Sequence, residues 1–287
     1  MRPILVTGAS GKLGAYVVRR LVEQDRPVVA WSGSASGEVC GVPLRPVDLS
    51  NMHETRSAFS EAGPSATIHC AALSAIGDCY RSPEKAEKIN VQATALLGEL
   101  AERIVYTSTD LVFDGRNAPY SEEDKAAPLS VYGRTKLAGE QALHGRSLAA
   151  VVRVSLMFGP GLLGSGGFFE QQYRALQAGE SLSLFHDEWR TPLALRDAAD
   201  GLVEIMDSDF QGTLHLGGPQ RLSRAEMGLV LARHLQAEEG LVRTVSQDSI
   251  DFPEPRPSDV SLNSQLAREL FGWNPTSVGA SLSRWGL

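Results

Sequence analysis

Hydrophobic and polar positions along this chain switch between two periods. Residues 3–7 (PILVT) are a short continuous apolar run. Residues 12–24 instead repeat apolar side chains at Leu13, Val17, Val18, Leu21 and Val22. The first pattern predicts a strand buried on both faces, the second an amphipathic helix. Further apolar runs at 27–31, 66–72, 103–109 and 149–155 predict strands, and helical spacing at about 51–62, 84–101 and 130–144 fills the intervals. Such alternation predicts an α/β fold with a parallel sheet covered on both faces. After Ser155 the pattern loosens. A glycine-rich loop (158–167) precedes a helix at 168–178, and 190–206 reads as a short strand and a helix. Residues 212–218 predict one more core strand. The tail predicts a helix at 223–236, a strand near 241–246 and a last helix at 263–271. The expected organisation is a core of 1–152 plus 196–217, with a small, mainly C-terminal lobe from 153–195 and 218–287.

The 287 residues suffice for one large domain or a core with an appended lobe. A hydrophobic share of 43% and a charged share of 21% are ordinary for a soluble globular chain. The net charge of −7 argues against a nucleic-acid partner, which needs a basic footprint. No apolar run approaches the roughly 18 residues of a membrane helix. The N-terminus shows no signal-peptide core before its glycine turn. Cys40, Cys70 and Cys79 form no C-x-x-C pair, which fits reduced thiols in the cytoplasm. His69, His186 and His215 have no metal-ligand spacing, so structural roles and no metal are expected.

The stretch TGASGKLG (7–14) sets Gly8, Gly11 and Gly14 three apart between the first strand and the first helix. Gly8 permits the tight turn, Gly11 lets a pyrophosphate approach the backbone, and Gly14 lets helix and strand pack closely. The helix start then offers free N–H groups and a positive dipole end, with Ser10, Lys12 and Leu13 alongside. This predicts a Rossmann-type doubly wound fold that binds a dinucleotide. An acid ending the second strand would mark NAD. Here that strand ends Trp31-Ser32, with no acid before Glu38. Lys12, Ser32 and Ser34 suit a 2′-phosphate, so NADPH is expected, with NADH as the alternative. Asp48, followed by Leu49, either accepts from the adenine amino group or caps the next helix.

Taken with that turn, HCAA (69–72), STD (108–110) and YGRTK (132–136) make the chain resemble the extended short-chain dehydrogenase/reductases. Residues 106–140 are similar to the dTDP-4-dehydrorhamnose reductase group, and equally to the regulatory beta subunit of methionine adenosyltransferase. The resemblance continues through 212–227 and 256–263, where Asn263 replaces the group's usual aspartate. It implies that Thr109 is the catalytic hydroxyl, Tyr132 the acid and Lys136 its partner. It further implies that Ala71, Ala72 and Asn90 belong to the cofactor side, that the substrate is a 4-keto nucleotide sugar, and that the Tyr132 helix forms a homodimer face.

Tyr132 and Lys136, four residues apart, lie on one helix face. Delivery of a hydride to a ketone leaves an oxygen that must be protonated. A free phenol has a pKa near ~10, and lowering it about three units requires roughly 4 kcal/mol of phenolate stabilisation. Lys136 and an oxidised nicotinamide ring have the right sign. Thr109 offers the carbonyl oxygen a hydrogen bond. Ser108 is its rival and a further substrate contact, since strand alternation turns only one of the two to the cofactor. Arg153, Arg190 and Arg256 are the candidate phosphate donors; the competing reading for each is an ion pair with Glu188 or Glu254. Trp189 is either a base-stacking ring or core. Three functions compete: a reductase, a non-catalytic NADP-binding regulatory subunit, and a nucleotide-sugar epimerase or dehydratase. The missing acid after the second strand counts against the last.

Overall fold

The computed structural model describes every residue except Ser165 and Leu287. Ser165 belongs to the predicted glycine-rich loop and, like Leu287, lies outside the described residues. Eight strands form the main sheet: β1 (Ile4–Thr7), β2 (Val28–Ser32), β3 (Glu38–Val39), β4 (Val42–Pro46), β5 (Ala66–His69), β6 (Ile104–Thr109), β7 (Ala149–Val154) and β8 (Gly212–Leu216). Their order is β8-β7-β6-β5-β1-β2-β4-β3. All neighbours run parallel except the β3–β4 hairpin. The order reverses between β1 and β5, which is where an open α/β sheet forms its ligand crevice.

Continuous apolar strands arise because both faces are covered. On one face, helices Lys12–Glu23 and Leu195–Asp207 bury Val17, Val18 and Leu21 with Leu202, Ile205 and Met206. On the other, Phe59, Leu97 and Leu143 pack with Trp31 and Tyr106. The helix predicted at 84–101 is real but not uniform. It runs Pro83–Glu87, widens into a π turn at Lys88–Gln92, and continues as Ala93–Leu100. Such turns concentrate at functional sites, and this one holds Asn90.

After β7 the chain builds the smaller region. Its core joins Phe158, Phe169, Leu176, Met227, Leu231 and Leu282. Helix Ile76–Arg81, strand Leu182–Phe185 and a final helix, Val278–Trp285, are additions to the expected pattern. The Asn263 side-chain oxygen accepts from Gln265 N at 3.0 Å, two residues on. Among the described residues, no helix is long and apolar enough to cross a membrane.

Candidate active site

A cleft of about 1170 Å3 opens over the C-terminal ends of the strands, with the glycine turn at one end and Arg190, Arg224 and Arg256 at the other. Gly8 has φ +67°, and a Cβ there would lie 2.8 Å from the Ala71 backbone. A Cβ at Gly14 would lie 2.2 Å from Gly8 O. Only glycine lets this turn fold so tightly against β5. Among the described residues no side chain caps the helix that starts at Lys12, so its first N–H groups are left for a ligand. Ser10, Leu13, Ala71, Ala72 and Leu49 line the same half. This open cradle of backbone donors fits a dinucleotide pyrophosphate.

Several polar residues assigned to the cofactor are engaged with other parts of the chain. Lys12 Nζ pairs with Glu170 at 2.8 Å, and the Ser32 hydroxyl donates to Ala35 O at 2.6 Å. Both still line the cleft, as does Ser34. Asp48 is not the helix cap; Asn51 takes that position, accepting from Glu54 N. Asp48 instead accepts from the Ser50 N–H and hydroxyl, which hold its carboxyl below the usual range. Lys85 also reaches this end of the cleft, a residue that reads in sequence as an ordinary helix-surface cation.

Thr109, at the end of β6, and Tyr132 and Lys136, on helix Val131–Ala142, converge on the middle of the cleft. Ser130 caps that helix by accepting from Gly133 N at 3.1 Å. Burial raises the Tyr132 phenol above its ordinary pKa, while the nearby Thr109 side chain pulls it down. Lys136 is 2% exposed. Its Nζ donates to Thr107 O at 2.7 Å and lies 4.0 Å from the Tyr106 ring centroid. Burial lowers its pKa to about 7, with the Glu140 charge opposing. In the chain alone the Lys136 ammonium rests on a backbone carbonyl, and burial is the largest influence on the Tyr132 phenol.

Four further assignments change. The Arg153 guanidinium lies beneath the cleft instead of lining it, bonded to Glu140 at 2.7, 3.1 and 3.3 Å. The Ser108 hydroxyl donates to the same Glu140, which removes it as a free substrate donor. Asn90 is 1% exposed and sits one layer behind the cofactor residues. It accepts from Leu73 N at 2.9 Å and donates to Thr135 Oγ1 at 3.0 Å, tying the loop after β5 to the Tyr132 helix. Trp189 stacks under the Arg221 guanidinium at 3.9 Å. His69 is structural, bridged between Thr7 and Thr94 and held neutral by burial, which lowers its pKa to about 3.

Asp110, Glu188 and Arg224 complete the cleft without having been assigned from sequence. Asp110 accepts from Ser155 Oγ at 3.1 Å, and burial raises its carboxyl pKa. The signal for it was the STD triplet itself. Arg224 gives no such signal, because it reads as the first residue of a capped helix.

A family model described as the RmlD substrate binding domain matches residues 1–285. The chain belongs to the RmlD substrate-binding domain family. Among its relatives is the probable low-salt glycan biosynthesis reductase Agl14 of Haloferax volcanii, 30% identical over 94% of this chain and 93% of that one. The methionine adenosyltransferase 2 subunit beta of Pongo abelii is 28% identical, covering 99% and 87% respectively. In fold, this RmlD-family chain matches the dTDP-4-dehydrorhamnose reductase of Bacillus anthracis solved in complex with NADP. The TM-score is 0.88 at 22% identity, over 99% of this chain and 98% of that one.

Proposed function

We propose that the protein is an NADPH-dependent reductase of a 4-keto nucleotide sugar, with Tyr132 as the proton donor. The observation that carries this reading is the convergence of Thr109, Tyr132 and Lys136 in one cleft, between a dinucleotide turn and an arginine cluster. The reductase relative in Haloferax volcanii and the NADP bound to the Bacillus anthracis protein support it. We assign residues 1–152 and 196–217 to the cofactor-binding core, and 153–195 and 218–287 to the substrate lobe. A cytoplasmic homodimer is the form we expect.

When bound at the glycine turn, the dinucleotide supplies the hydride. Thr109 then orients the ketone by donating its hydroxyl hydrogen to the carbonyl oxygen. Tyr132 gives its phenolic proton to that oxygen as negative charge develops there. Lys136 stabilises the resulting phenolate and holds ribose hydroxyls. Asn90 and Glu140 keep the Tyr132 helix in register with β5 and β6. Arg190 and Arg256 pair with the diphosphate of the sugar nucleotide.

NADPH oxidation with dTDP-4-keto-6-deoxyhexose tests the proposal. Turnover is expected, and kcat/KM should fall as pH rises through about 7, where Lys136 loses its charge. Tyr132, raised above its ordinary range, keeps its proton throughout that interval. A profile that rises with pH there would contradict the assigned roles. The second reading, a regulatory subunit that binds NADP without turnover, draws support from the methionine adenosyltransferase relative. It requires NADPH binding with no oxidation across a panel of 4-keto sugars.

A further inference from the structure

Glu188 lies among the three cleft arginines. Its Oε1 is 3.4 Å from Arg190 Nη2 and 3.9 Å from Arg224 Nε, and its Oε2 is 3.9 Å from Arg256 Nη1. These separations are too long for charge-assisted hydrogen bonds. Among the described residues, the Glu188 carboxylate accepts no such bond from any of the three. Elsewhere the molecule shows what a clamped pair looks like: Arg233 meets Glu239 at 2.9 Å through both Nε and Nη2. Among the described residues Arg224 Nη1 is buried without a hydrogen-bond partner, and its guanidinium stacks over the Phe168 ring at 4.2 Å. Arg224 also opens helix Arg224–His234, where a positive charge opposes the helix dipole. The Ser223–Glu226 capping box already satisfies that turn, so the helix has no use for the arginine. Asp110 is the other acid beside the cluster, 3.7 Å from Arg190 Nε. Three cations thus face two carboxylates in a shielded cleft, with guanidinium donors unspent.

We propose that Glu188 is a counter-charge and not a clamp: it holds the place of a diphosphate among Arg190, Arg224 and Arg256, and limits how tightly the cleft takes that group. The inference rests on reading this end of the cleft as the nucleotide-sugar site. A diphosphate can make the short, bidentate bonds that the carboxylate does not make. It must do so against the Glu188 charge, which weakens the hold on a nucleoside diphosphate and so speeds product release. Removing the charge while keeping the side-chain size therefore tightens binding. If Glu188 instead organised the arginines, the same change would loosen it.

Titration calorimetry on the full chain, with saturating NADP+ present, separates these outcomes. The probes are thymidine diphosphate, inorganic pyrophosphate and uncharged thymidine. Glu188→Gln should bind both phosphate probes at least ten-fold more tightly than wild type, with thymidine unchanged. Arg224→Met should bind the phosphate probes at least ten-fold more weakly. Glu188→Ala, expected to shift affinity in the same direction as Glu188→Gln, serves if the amide variant does not fold. Equal or weaker binding of the phosphate probes by a folded Glu188 variant, alongside measurable wild-type binding, overturns the counter-charge role and leaves the nucleotide-sugar reading standing. Absence of phosphate-probe binding by both wild type and variant overturns both.

Discussion

Tyr132→Phe is expected to lower kcat by roughly 10²–10⁴-fold, the usual contribution of a positioned general acid. The phenol stands beside Thr109 in the cleft, and its raised pKa keeps it protonated at neutral pH. Phenylalanine preserves the ring and its packing, so NADPH affinity and melting temperature should stay within error of wild type. Steady-state kinetics paired with fluorescence titration of NADPH would separate the two effects. Unchanged turnover would remove Tyr132 from the chemistry. A parallel loss of cofactor binding would make it a structural residue.

The second large effect concerns stability. Arg153→Met should destabilise the fold by about 3–5 kcal/mol, because it leaves Glu140 buried without its counter-ion. Both side chains of that pair are under one-tenth exposed, and the guanidinium makes three bonds to the carboxylate. For a chain of this size, such a loss corresponds to a drop in melting temperature of roughly 10 °C. The double variant Glu140→Leu/Arg153→Met should recover most of it, since an apolar pair of similar volume carries no desolvation penalty. Thermal melts of the single and double variants form the test; an additive loss in the double variant would contradict the buried-pair account. Glu140 also accepts from Ser108 and supports the Lys136 charge. The same pair thus links the folding of the β6–β7 layer to the electrostatics of the site.

The parts of this molecule that were legible in its sequence share a physical reason. Strands such as Ile4–Thr7 and Ile104–Thr109 are buried on both faces, so they read as unbroken apolar runs. The glycine turn was legible because a Cβ at Gly8 or Gly14 collides with backbone, which forces those positions. Helical spacing put Tyr132 and Lys136 on one face, while their catalytic roles came only from the family resemblance. What a side chain touches across 13 or 62 residues is another matter. Arg153 lies in a loop-bound stretch of basic and apolar residues that looks like a phosphate site. Its position in β7, however, turns it toward Glu140 and His215, the helix and strand on the covered side. Asn90 was drawn to the cofactor by resemblance, yet the π turn sets it behind the Leu73 loop. Arg224 escaped notice because its neighbours Ser223 and Glu226 already explain the start of its helix.

Reduction of a ketone in this cleft can be followed atom by atom. The most direct measurement uses NADPH carrying deuterium at C4 of the nicotinamide, incubated with the enzyme and dTDP-4-keto-6-deoxyhexose, with the sugar analysed by mass spectrometry and NMR. One deuterium per product molecule, on the former carbonyl carbon, is the expected result. Tightly bound NADPH that is never consumed, with the sugar recovered unlabelled and unreduced, would contradict it.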